Sequence, residues 1–456
     1  MNISAVILAA GTGTRMRSKK TKVLHEICGR SMINWVTGSC FEAGIEKIAV
    51  VISPAGNDIV KEAGSRHQFF IQNEQLGTGH ALMQAVEFIR GSGNTAVLCG
   101  DVPLLSPGTI KALMEDHETN GFDATVLTSI AADPKGYGRI IRKEDGLVEK
   151  IVEQTDADLS QENIAEVNSG IYIFRSVLLL ETLDKITDRN KQGEYYLTDI
   201  IEIISREGGK TGAYITADPQ EVTGINDRVQ LAAANRIARA RILKEHMRNG
   251  VTIEDPDSTY IDAGITIESD TCILPGTMLK GKTKIGADCV IGPNSRISDS
   301  VIGDWTSVDS SVVTGSMIGR NTAIGPFAYI RPECDIGDNV RIGDYVEIKK
   351  SKIGNRTKIA HLTYVGDAVL GENCNLGCGV VVVNYDGKKK SVTVIGDNAF
   401  VGCNVNLVAP VEIERDSYIA AGSTITKNVP QKALAVARAR QTNIDNWVDK
   451  RNMQRK

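Results

Sequence analysis

The chain contains 456 residues with a mass of 49.2 kDa, a length that favours two or three domains over one. Its composition, 42% hydrophobic and 24% charged, excludes a fully disordered chain, and its net charge of −4 lacks the basic excess of a typical nucleic-acid-binding protein. No apolar run approaches the ~20 residues that span a bilayer, so we expect neither a nucleic-acid nor a membrane partner.

The N-terminus and the cysteines predict a cytoplasmic location. The opening sequence MNISAVILAAG has no basic stretch before its short apolar segment, which disfavours a signal peptide. The nine cysteines are odd in number and form no CxxC motif, which disfavours a disulfide framework and a four-cysteine zinc site. Without an export signal, a reducing cytoplasm is the expected compartment.

Residues 1–225 alternate apolar runs with helical patterns. The predicted strands are Ser4–Ala10, Lys47–Ile52, Thr95–Cys99 and Ala124–Ile130, and the predicted helices include Thr78–Arg90 and Pro107–Glu118. This alternation predicts an α/β domain with a Rossmann-like, mostly parallel sheet that carries helices on both faces. Ligands of such sheets bind at the carboxyl ends of the strands.

The first strand runs directly into the turn Gly11-Thr-Gly-Thr-Arg15. Its glycines allow backbone amides to approach an anion, and the nearby cations Arg15 and Lys22 favour a triphosphate. No GK[ST] follows, and Met16 stands where a dinucleotide fingerprint has its third glycine, so neither of those two motifs is present. A plain strand-to-helix turn with solvated charges is the less favoured interpretation.

An acidic residue, Asp101, follows another buried strand in the stretch GDVPL. It lies at the strand end that faces the ligand crevice, where a carboxylate oxygen could bind Mg²⁺. An aspartate that caps a turn explains the same residue equally well. The sequence pattern alone leaves both interpretations open.

Residues 226–250 contain no glycine or proline before Gly250 and are rich in alanine, arginine and leucine, which are good helix formers. We predict a helix here that connects two domains and ends at Gly250.

After Gly250 an aliphatic residue recurs about every six positions, as at Ile267, Ile273 and Leu279. A six-residue period fits neither an α-helix nor an alternating strand, and it predicts a left-handed parallel β-helix of hexapeptide repeats over 251–430. The periodic span 265–430 corresponds to about nine coils with a narrow aliphatic core. Residues 431–456 are basic, and we expect them to form a tail outside the repeat.

The repeat is interrupted at Asn384–Val394, NYDGKKKSVTV. Insertions in repeat proteins form projecting loops, often on the binding face, although a solvated surface loop is the alternative.

A single histidine, His361, lies within the repeat, which disfavours a three-histidine zinc site. An imidazole titrates near neutral pH and can accept a proton from an amine that attacks a thioester. A lone histidine is more often structural. However, Arg331, Lys349 and Tyr364 recur at similar positions of the repeat, and two cations would suit a sugar phosphate.

Taken together, LAAGTGTRM with Lys22, the stretch from Gln72 through Gln75-Leu-Gly-Thr-Gly-His80, and GDVPL resemble sugar-nucleotide pyrophosphorylases. With the hexad repeat and HLTY, the whole chain resembles the bacterial bifunctional N-acetylglucosamine-1-phosphate uridyltransferase/glucosamine-1-phosphate acetyltransferase family. The resemblance implies acetyl transfer from acetyl-CoA to glucosamine 1-phosphate. Uridylyl transfer from UTP to N-acetylglucosamine 1-phosphate then gives UDP-N-acetylglucosamine, a precursor for the cell wall, and pyrophosphate.

For the N-terminal domain the resemblance implies catalytic roles for Lys22 and Arg15, with Asp101 and Asn226 as Mg²⁺ ligands. Cys99 departs from the tyrosine common in this family. The implied nucleotide- and sugar-binding residues are Leu8, Ala9, Ala10, Gly11, Lys22, Gln72, Gly77, Thr78, Gly138, Glu153, Asn168 and Asn226.

For the C-terminal domain the resemblance implies that His361 is the base for acetyl transfer and that the chain forms a homotrimer. Cys378 and Cys403 replace the alanine and serine of many relatives. The implied contacts to glucosamine 1-phosphate are Arg331, Lys349, Tyr364 and Asn375, and those to acetyl-CoA are Cys378, Asn384, Tyr385, Cys403, Ala421 and Arg438.

Two other hypotheses fit parts of the sequence. One is a pyrophosphorylase for another sugar or nucleotide with a β-helix that serves only in oligomerisation; the other is a non-catalytic regulatory subunit. His361 with Arg331 and Lys349 argues against the first, and the retained turn with Lys22 and Asp101 argues against the second.

Overall fold

The computed structural model describes residues 2–451. The chain divides into two compact units, and the division falls between Ala238 and Arg239. Within residues 2–451, no helix combines the length and the apolar character needed to cross a membrane.

The N-terminal unit is built on a mixed sheet. Its strands are Ile3–Leu8 (β1), Glu26–Ile27 (β2), Arg30–Ser31 (β3), Lys47–Ile52 (β4), Gln68–Ile71 (β5), Asn94–Cys99 (β6), Ala124–Ile130 (β7), Arg139–Arg142 (β8), Val148–Val152 (β9), Glu166–Arg175 (β10) and Thr211–Ile215 (β11). The main sheet has the order β11-β7-β10-β6-β1-β4-β5, β8 pairs with β10 and β9, and β2 and β3 form a separate hairpin. The predicted parallel pairing holds between β1, β4, β5 and β6, whereas β10 is antiparallel to β6, β7 and β8.

Helices cover both faces of this sheet. Those of the N-terminal unit are Met32–Glu42 (α1), Asn57–Ala63 (α2), Thr78–Met83 (α3), Val86–Ile89 (α4), Pro107–Thr119 (α5), Ser176–Leu183 (α6) and Asp199–Arg206 (α7). The predicted helix Thr78–Arg90 is therefore two helices. They are separated because Ala85 leaves helical geometry and its amide donates to the carbonyl of Leu82, three residues back. Short 3₁₀ turns occur at Thr14–Met16, Lys22–Leu24 and Pro219–Val222.

Burial on both faces explains the apolar runs that predicted the strands. In β1, Ala5 and Ile7 belong to the core on one face of the sheet and Val6 to the core on the other. A strand covered on both sides has no polar alternation, so its sequence is continuously aliphatic.

The predicted connecting helix is present as Arg228–Arg248 (α8). The Asp227 side chain accepts a hydrogen bond from the Gln230 amide at 2.8 Å and so caps its N-terminus. Ala234 packs in a core with Ile27 of the N-terminal unit, and Leu243 belongs to the core of the C-terminal unit.

The C-terminal unit is a parallel β-helix with three sheets. The first contains Thr252–Ile253, Cys272–Ile273, Val290–Ile291, Ser307–Val308, Ala323–Ile324, Arg341–Asp344, Lys358–His361, Asn375–Leu376, Phe400–Val401, Tyr418–Ile419 and Leu434–Ala435. The second contains Tyr260–Ile261, Met278–Lys280, Arg296–Ser298, Val312–Thr314, Tyr329–Ile330, Glu347–Lys349, Tyr364–Gly366, Val381–Val383, Asn406–Val408 and Thr424–Ile425. The third contains Thr266–Ile267, Lys284–Ile285, Val301–Ile302, Met317–Ile318, Asp335–Ile336, Lys352–Ile353, Ala368–Leu370, Thr393–Ile395 and Val411–Ile413. One short helix follows at Trp447–Lys450 (α9).

The hexad aliphatic residues fill the interior of the β-helix, as predicted. Ile273, Ile291 and Val308 are buried and pair directly with one another along the first sheet. The buried column excludes water from a narrow core and supplies most of the apolar burial of the unit.

The strands extend beyond the periodic span 265–430 at both ends, but beyond the predicted β-helix domain, 251–430, only at its C-terminal end. The repeat begins at Thr252–Ile253, where two extra residues before Ile261 disturb the period. It ends at Leu434–Ala435, which pairs with Tyr418–Ile419, so residues 434 and 435 do not lie outside the repeat. The small Ala435 occupies an inward position where the pattern expects a larger aliphatic residue, and the hexad signal is lost there.

Candidate functional site

The carboxyl ends of β1 and β6 open onto a cleft of about 300 Å³ in the N-terminal unit. The predicted residues that line it are Leu8, Ala9, Ala10, Gly11, Lys22, Gln72, Gly77, Thr78 and Asp101. They come from four separate segments, and the sheet brings them together because these segments follow neighbouring strands.

Hydrogen bonds fix the polar side chains of this cleft. The buried Gln72 donates through Nε2 to the Gly77 carbonyl at 3.1 Å, and its Nε2 lies 3.2 Å from Nδ1 of His80. Gly77 has a φ of +109°, and a Cβ there would lie 2.6 Å from the Tyr195 carbonyl oxygen, so only glycine fits.

Lys22, Asp101 and Asn226 form a compact polar group at the edge of the cleft. The Lys22 ammonium lies 2.5 Å from Asp101 Oδ2 and 3.2 Å from Asn226 Oδ1. Arg15 donates to the same Asn226 oxygen at 3.0 Å. The structure therefore joins two cations and two oxygen ligands that are separated by up to 211 residues in sequence.

Asp101 and Asn226 supply two hard oxygen atoms of the kind that Mg²⁺ prefers. Proteins commonly hold Mg²⁺ through one or two such ligands, with water and substrate phosphates completing the shell. The chemistry of this pair fits the predicted metal ligands. In the structure the Lys22 ammonium donates hydrogen bonds to both oxygen atoms.

The three predicted sugar contacts lie beside one another. A Cβ on Gly138 would be 3.4 Å from the Cβ of Asn168 and 3.6 Å from Oε2 of Glu153. Thr198 donates to Glu153 at 3.2 Å, and Asn168 donates to the Tyr172 hydroxyl at 2.8 Å. Burial raises the pKa of Glu153.

Cys99 connects the cleft to this group. Its thiol donates to the Gly170 carbonyl at 3.4 Å, and the Gly170 amide donates to Asn168 Oδ1 at 3.0 Å. Burial, with Asp101 as a second cause, raises the pKa of Cys99 to about 12, so the thiol stays neutral. It acts as a small packing residue beside the predicted sugar site.

In the C-terminal unit, Arg331, Lys349 and Tyr364 lie on the second sheet of the β-helix. Arg331 directly follows the strand Tyr329–Ile330, which pairs with Glu347–Lys349, and its amide donates to the Ile348 carbonyl at 2.8 Å. Tyr364 pairs with Glu347, whereas Lys349 pairs with Gly366. Lys349 and Tyr364 therefore do not occupy equivalent positions of the repeat, contrary to the prediction. Arg331 forms an ion pair with Glu347 at 2.8 Å.

The insertion contributes residues to the same surface. Asn384 is buried, and it donates to Asp367 at 2.5 Å and to the Tyr364 hydroxyl at 3.4 Å. The neighbouring Lys349 ammonium lowers the pKa of Lys390. A pair of adjacent ammonium groups favours an anion such as phosphate.

His361 lies at the end of a strand of the first sheet, where Nδ1 contacts the Asp344 carboxylate. Its side chain is half-exposed, so the ring is accessible. Asn375, another predicted contact, is on the next strand, where it aligns with Lys358 rather than with His361.

The predicted acetyl-CoA contacts lie along successive coils. The Asn404 amide donates to the Cys378 carbonyl at 2.8 Å, and the Gly422 amide donates to the Cys403 carbonyl at 2.8 Å. The turns that contain these residues therefore stack on one another in successive coils. Arg438 donates to the Ala421 carbonyl at 2.8 Å. Tyr385 is exposed on the insertion, and its hydroxyl donates to Gly387.

Comparisons with known proteins identify both units. The nucleotidyl transferase family matches residues 4–220, the bacterial transferase hexapeptide family (six repeats) matches 264–299 and 393–427, and the GMPPB C-terminal domain family matches 320–407. Bifunctional protein GlmU of Clostridium novyi (strain NT) is 54% identical over 454 residues, 99% of each chain. Those of Acetivibrio thermocellus and Caldanaerobacter subterraneus are 55% identical, each over at least 98% of both chains.

The chain belongs to the GlmU family of bifunctional proteins.

Membership of the GlmU family confirms the resemblance seen in the sequence. The chain is a bifunctional transferase with a nucleotidyltransferase unit and a hexapeptide acyltransferase unit. The predicted fold class, an α/β nucleotidyltransferase domain followed by a left-handed parallel β-helix, is confirmed as well. The alternatives of a regulatory subunit and of a β-helix used only in oligomerisation are thereby set aside.

Several residues that shape the candidate site of the N-terminal unit were not among the predicted site residues. Gln75 donates to the Ala10 carbonyl at 2.8 Å and lines the cleft with Glu194. Arg139 is fully buried and donates to Gln154 at 2.9 Å and to the Glu162 carbonyl. The motif GYGR contains this arginine, but nothing in the motif indicates that its guanidinium holds two loops beside the predicted sugar contacts.

Proposed function

We propose that the cleft of the N-terminal unit and the His361 surface of the C-terminal unit carry out two successive reactions. In the first, an acetyl group passes from acetyl-CoA to the amine of glucosamine 1-phosphate. In the second, a uridylyl group passes from UTP to N-acetylglucosamine 1-phosphate, which gives UDP-N-acetylglucosamine and pyrophosphate. Support comes from two separate cation-rich sites, one in each unit of a chain of the GlmU family.

Catalysis of uridylyl transfer depends mainly on positioning the two substrates and on neutralising the charge of their phosphates. A phosphate oxygen of the sugar phosphate attacks the α-phosphorus of UTP in line, and the bond to pyrophosphate breaks. Lys22 and Arg15 lie where they can neutralise phosphate oxygens, and Gln72 can pair with the uracil edge because an amide both donates and accepts. Asp101 and Asn226 would hold Mg²⁺, which supplies further charge neutralisation on the triphosphate when it is bound.

Acetyl transfer asks for a base. The amine of glucosamine 1-phosphate attacks the thioester carbonyl and gives up a proton to Nε2 of His361. A C–N bond forms, the C–S bond breaks, and the coenzyme A thiolate leaves and takes a proton. Arg331, Lys349 and Lys390 supply positive charge that suits the sugar phosphate.

The assignment extends to assembly and location. We infer a homotrimer in the cytoplasm, with small-molecule substrates as its partners and with neither nucleic acid nor membrane as a partner. A hexapeptide β-helix with an exposed site on its surface suits a trimer, because a neighbouring subunit can close the site.

The two activities are separable by substitution. Asp101→Ala removes a predicted metal ligand, and we expect it to abolish pyrophosphate release from UTP while acetyl-CoA consumption continues. His361→Ala is expected to do the reverse. Acetyl transfer is assayed with acetyl-CoA and glucosamine 1-phosphate. Uridylyl transfer is assayed separately with UTP, Mg²⁺ and N-acetylglucosamine 1-phosphate, because His361→Ala cannot supply the acetylated sugar, and the products of both assays are identified by mass. Loss of both activities in either folded variant would contradict two independent sites.

A further inference from the structure

One strand pair of the β-helix is longer than the pairs that flank it in the first sheet. The strands Arg341–Asp344 and Lys358–His361 contain four residues each, whereas the flanking strands contain two. The additional pairing aligns Asp344 with His361. The Leu362 amide donates to the Asp344 carbonyl at 3.0 Å, which holds the two chain segments together beyond the ladder.

Gly343 permits this extension. A Cβ built on Gly343 would lie 1.9 Å from the carbonyl oxygen of Ala360, so any side chain at this position would push the two strands apart. The close approach lies directly before Asp344 and His361 in the two strands. It therefore determines how near the carboxylate comes to the imidazole.

We propose that Asp344 is a positioning residue for acetyl transfer, whose carboxylate accepts a hydrogen bond from Nδ1 of His361 and leaves Nε2 to take the proton of the substrate amine. This role rests on the proposed function, in which His361 is the base. An ionised carboxylate can only accept a hydrogen bond, so the proton of a neutral imidazole is held on Nδ1. The same hydrogen bond lowers the pKa of Asp344, which keeps the carboxylate ionised at neutral pH.

A purely stabilising role explains this arrangement less well. The side chains of His361 and Asp344 are 51% and 37% exposed, and half-exposed ion pairs contribute little to stability. The extended ladder and the close backbone approach at Gly343 nevertheless align them. Fixing the tautomer and direction of the ring accounts for both features.

The test measures the ring tautomer and the kinetics of the full-length protein. In Asp344→Asn the amide can donate to Nδ1, which allows the ring proton to move to Nε2. ¹⁵N shifts of labelled histidine, with the His361 signals assigned from His361→Gln, report which nitrogen is protonated. We expect the proton on Nδ1 in the wild type and a larger share on Nε2 in the variant. The kcat of acetyl transfer should fall about tenfold or more, with KM values within about twofold and uridylyl transfer unchanged.

Asp335→Asn is the matched control. It removes an exposed carboxylate on the third sheet, where Asp335 pairs with Lys352 at 3.6 Å, and it should change neither the tautomer nor kcat. An unchanged tautomer and kcat in Asp344→Asn, alongside an inactive His361→Gln, would overturn the positioning role alone. Full acetyl transfer by His361→Gln would overturn the proposed function, and the role of Asp344 with it.

Discussion

At the scale of single residues, each proposed site contains charged groups that lie close together although they are far apart in sequence. Lys22 meets Asp101, which is 79 residues away, and Lys390 meets Lys349 across the inserted loop. Two adjacent lysines do not stabilise the protein when no ligand is bound, because their like charges repel. Such a pair becomes favourable when a doubly charged phosphate lies between them.

The Lys390 pair gives a prediction about substrate binding. Lys390→Met removes one of two ammonium groups, so the KM for glucosamine 1-phosphate should rise about tenfold while kcat changes less. Steady-state acetyl-transfer kinetics at fixed ionic strength measure both values. Lys389→Met changes the neighbouring residue of the same loop, where Lys389 is exposed, and serves as the control. An equal rise in KM for the two variants would refute a specific role for Lys390.

At the scale of secondary-structure elements, helix α7 carries a carboxylate whose environment opposes its charge. Asp199 opens the helix, and burial together with Glu202, Glu153 and Asp156 raises its pKa from 3.8 to about 6. The folded chain therefore binds a proton that the unfolded chain has released between those two pH values. Stability from this group is present below pH 3.8 and is lost as the pH rises towards 6.

Asp199→Asn should accordingly stabilise the N-terminal unit at neutral pH. The full shift corresponds to about 3 kcal/mol, but Asp199 is only partly buried, so we expect a gain nearer about 1 kcal/mol at pH 7.5. The gain should shrink as the pH falls to 5. Urea unfolding at the two pH values measures it, and Asp188→Asn, an exposed carboxylate on the preceding loop, is the comparison. A gain that does not depend on pH would contradict this account.

At the scale of the whole molecule, one corner of the β-helix exposes an apolar column beside the proposed acetyl-transfer site. Phe327 stacks on Tyr345 with ring centroids 5.5 Å apart, and Leu362, next to His361, continues the column. More than half of each side chain is exposed to solvent in a single chain. Contiguous apolar surface of this kind is characteristic of a protein interface.

Phe327→Asn tests the proposed trimer. Phe327 has a φ of +60°, which asparagine tolerates, so the fold should persist while the apolar column is interrupted. Light scattering should give about three times 49.2 kDa for the wild type and a smaller mass for the variant, with reduced acetyl transfer and normal uridylyl transfer. Trp305→Asn, an equally exposed aromatic residue with a φ of +55° at another position, should leave the mass unchanged. A monomeric mass for the wild type would refute the proposed trimer.

Much of the fold could be predicted because its signals are local. The strand Lys47–Ile52 was predicted with its observed bounds, since a strand buried on both faces is continuously aliphatic. The sequence pattern does not predict the ends of the helices or the short strands near 252 and 434, because these features depend on tertiary contacts rather than on periodicity. The sequence pattern also does not predict that β10 runs antiparallel to β6, since an apolar run has the same pattern in either direction.

The sequence by itself determined the two-part architecture, the hexad core, the turn with Lys22 and the single histidine of the repeat. These are short-range patterns, which arise because each residue must satisfy its own backbone geometry and its own burial. Only the tertiary structure decided that Asn226 lies beside Lys22, that Lys390 lies beside Lys349 and that Asp344 faces His361. Partners on adjacent coils are 17 residues apart at Ile285 and Ile302 but 18 apart at Ile324 and Ile342. A one-residue change in coil length thus decides which side chains meet, and the pairing of whole strands fixes that register.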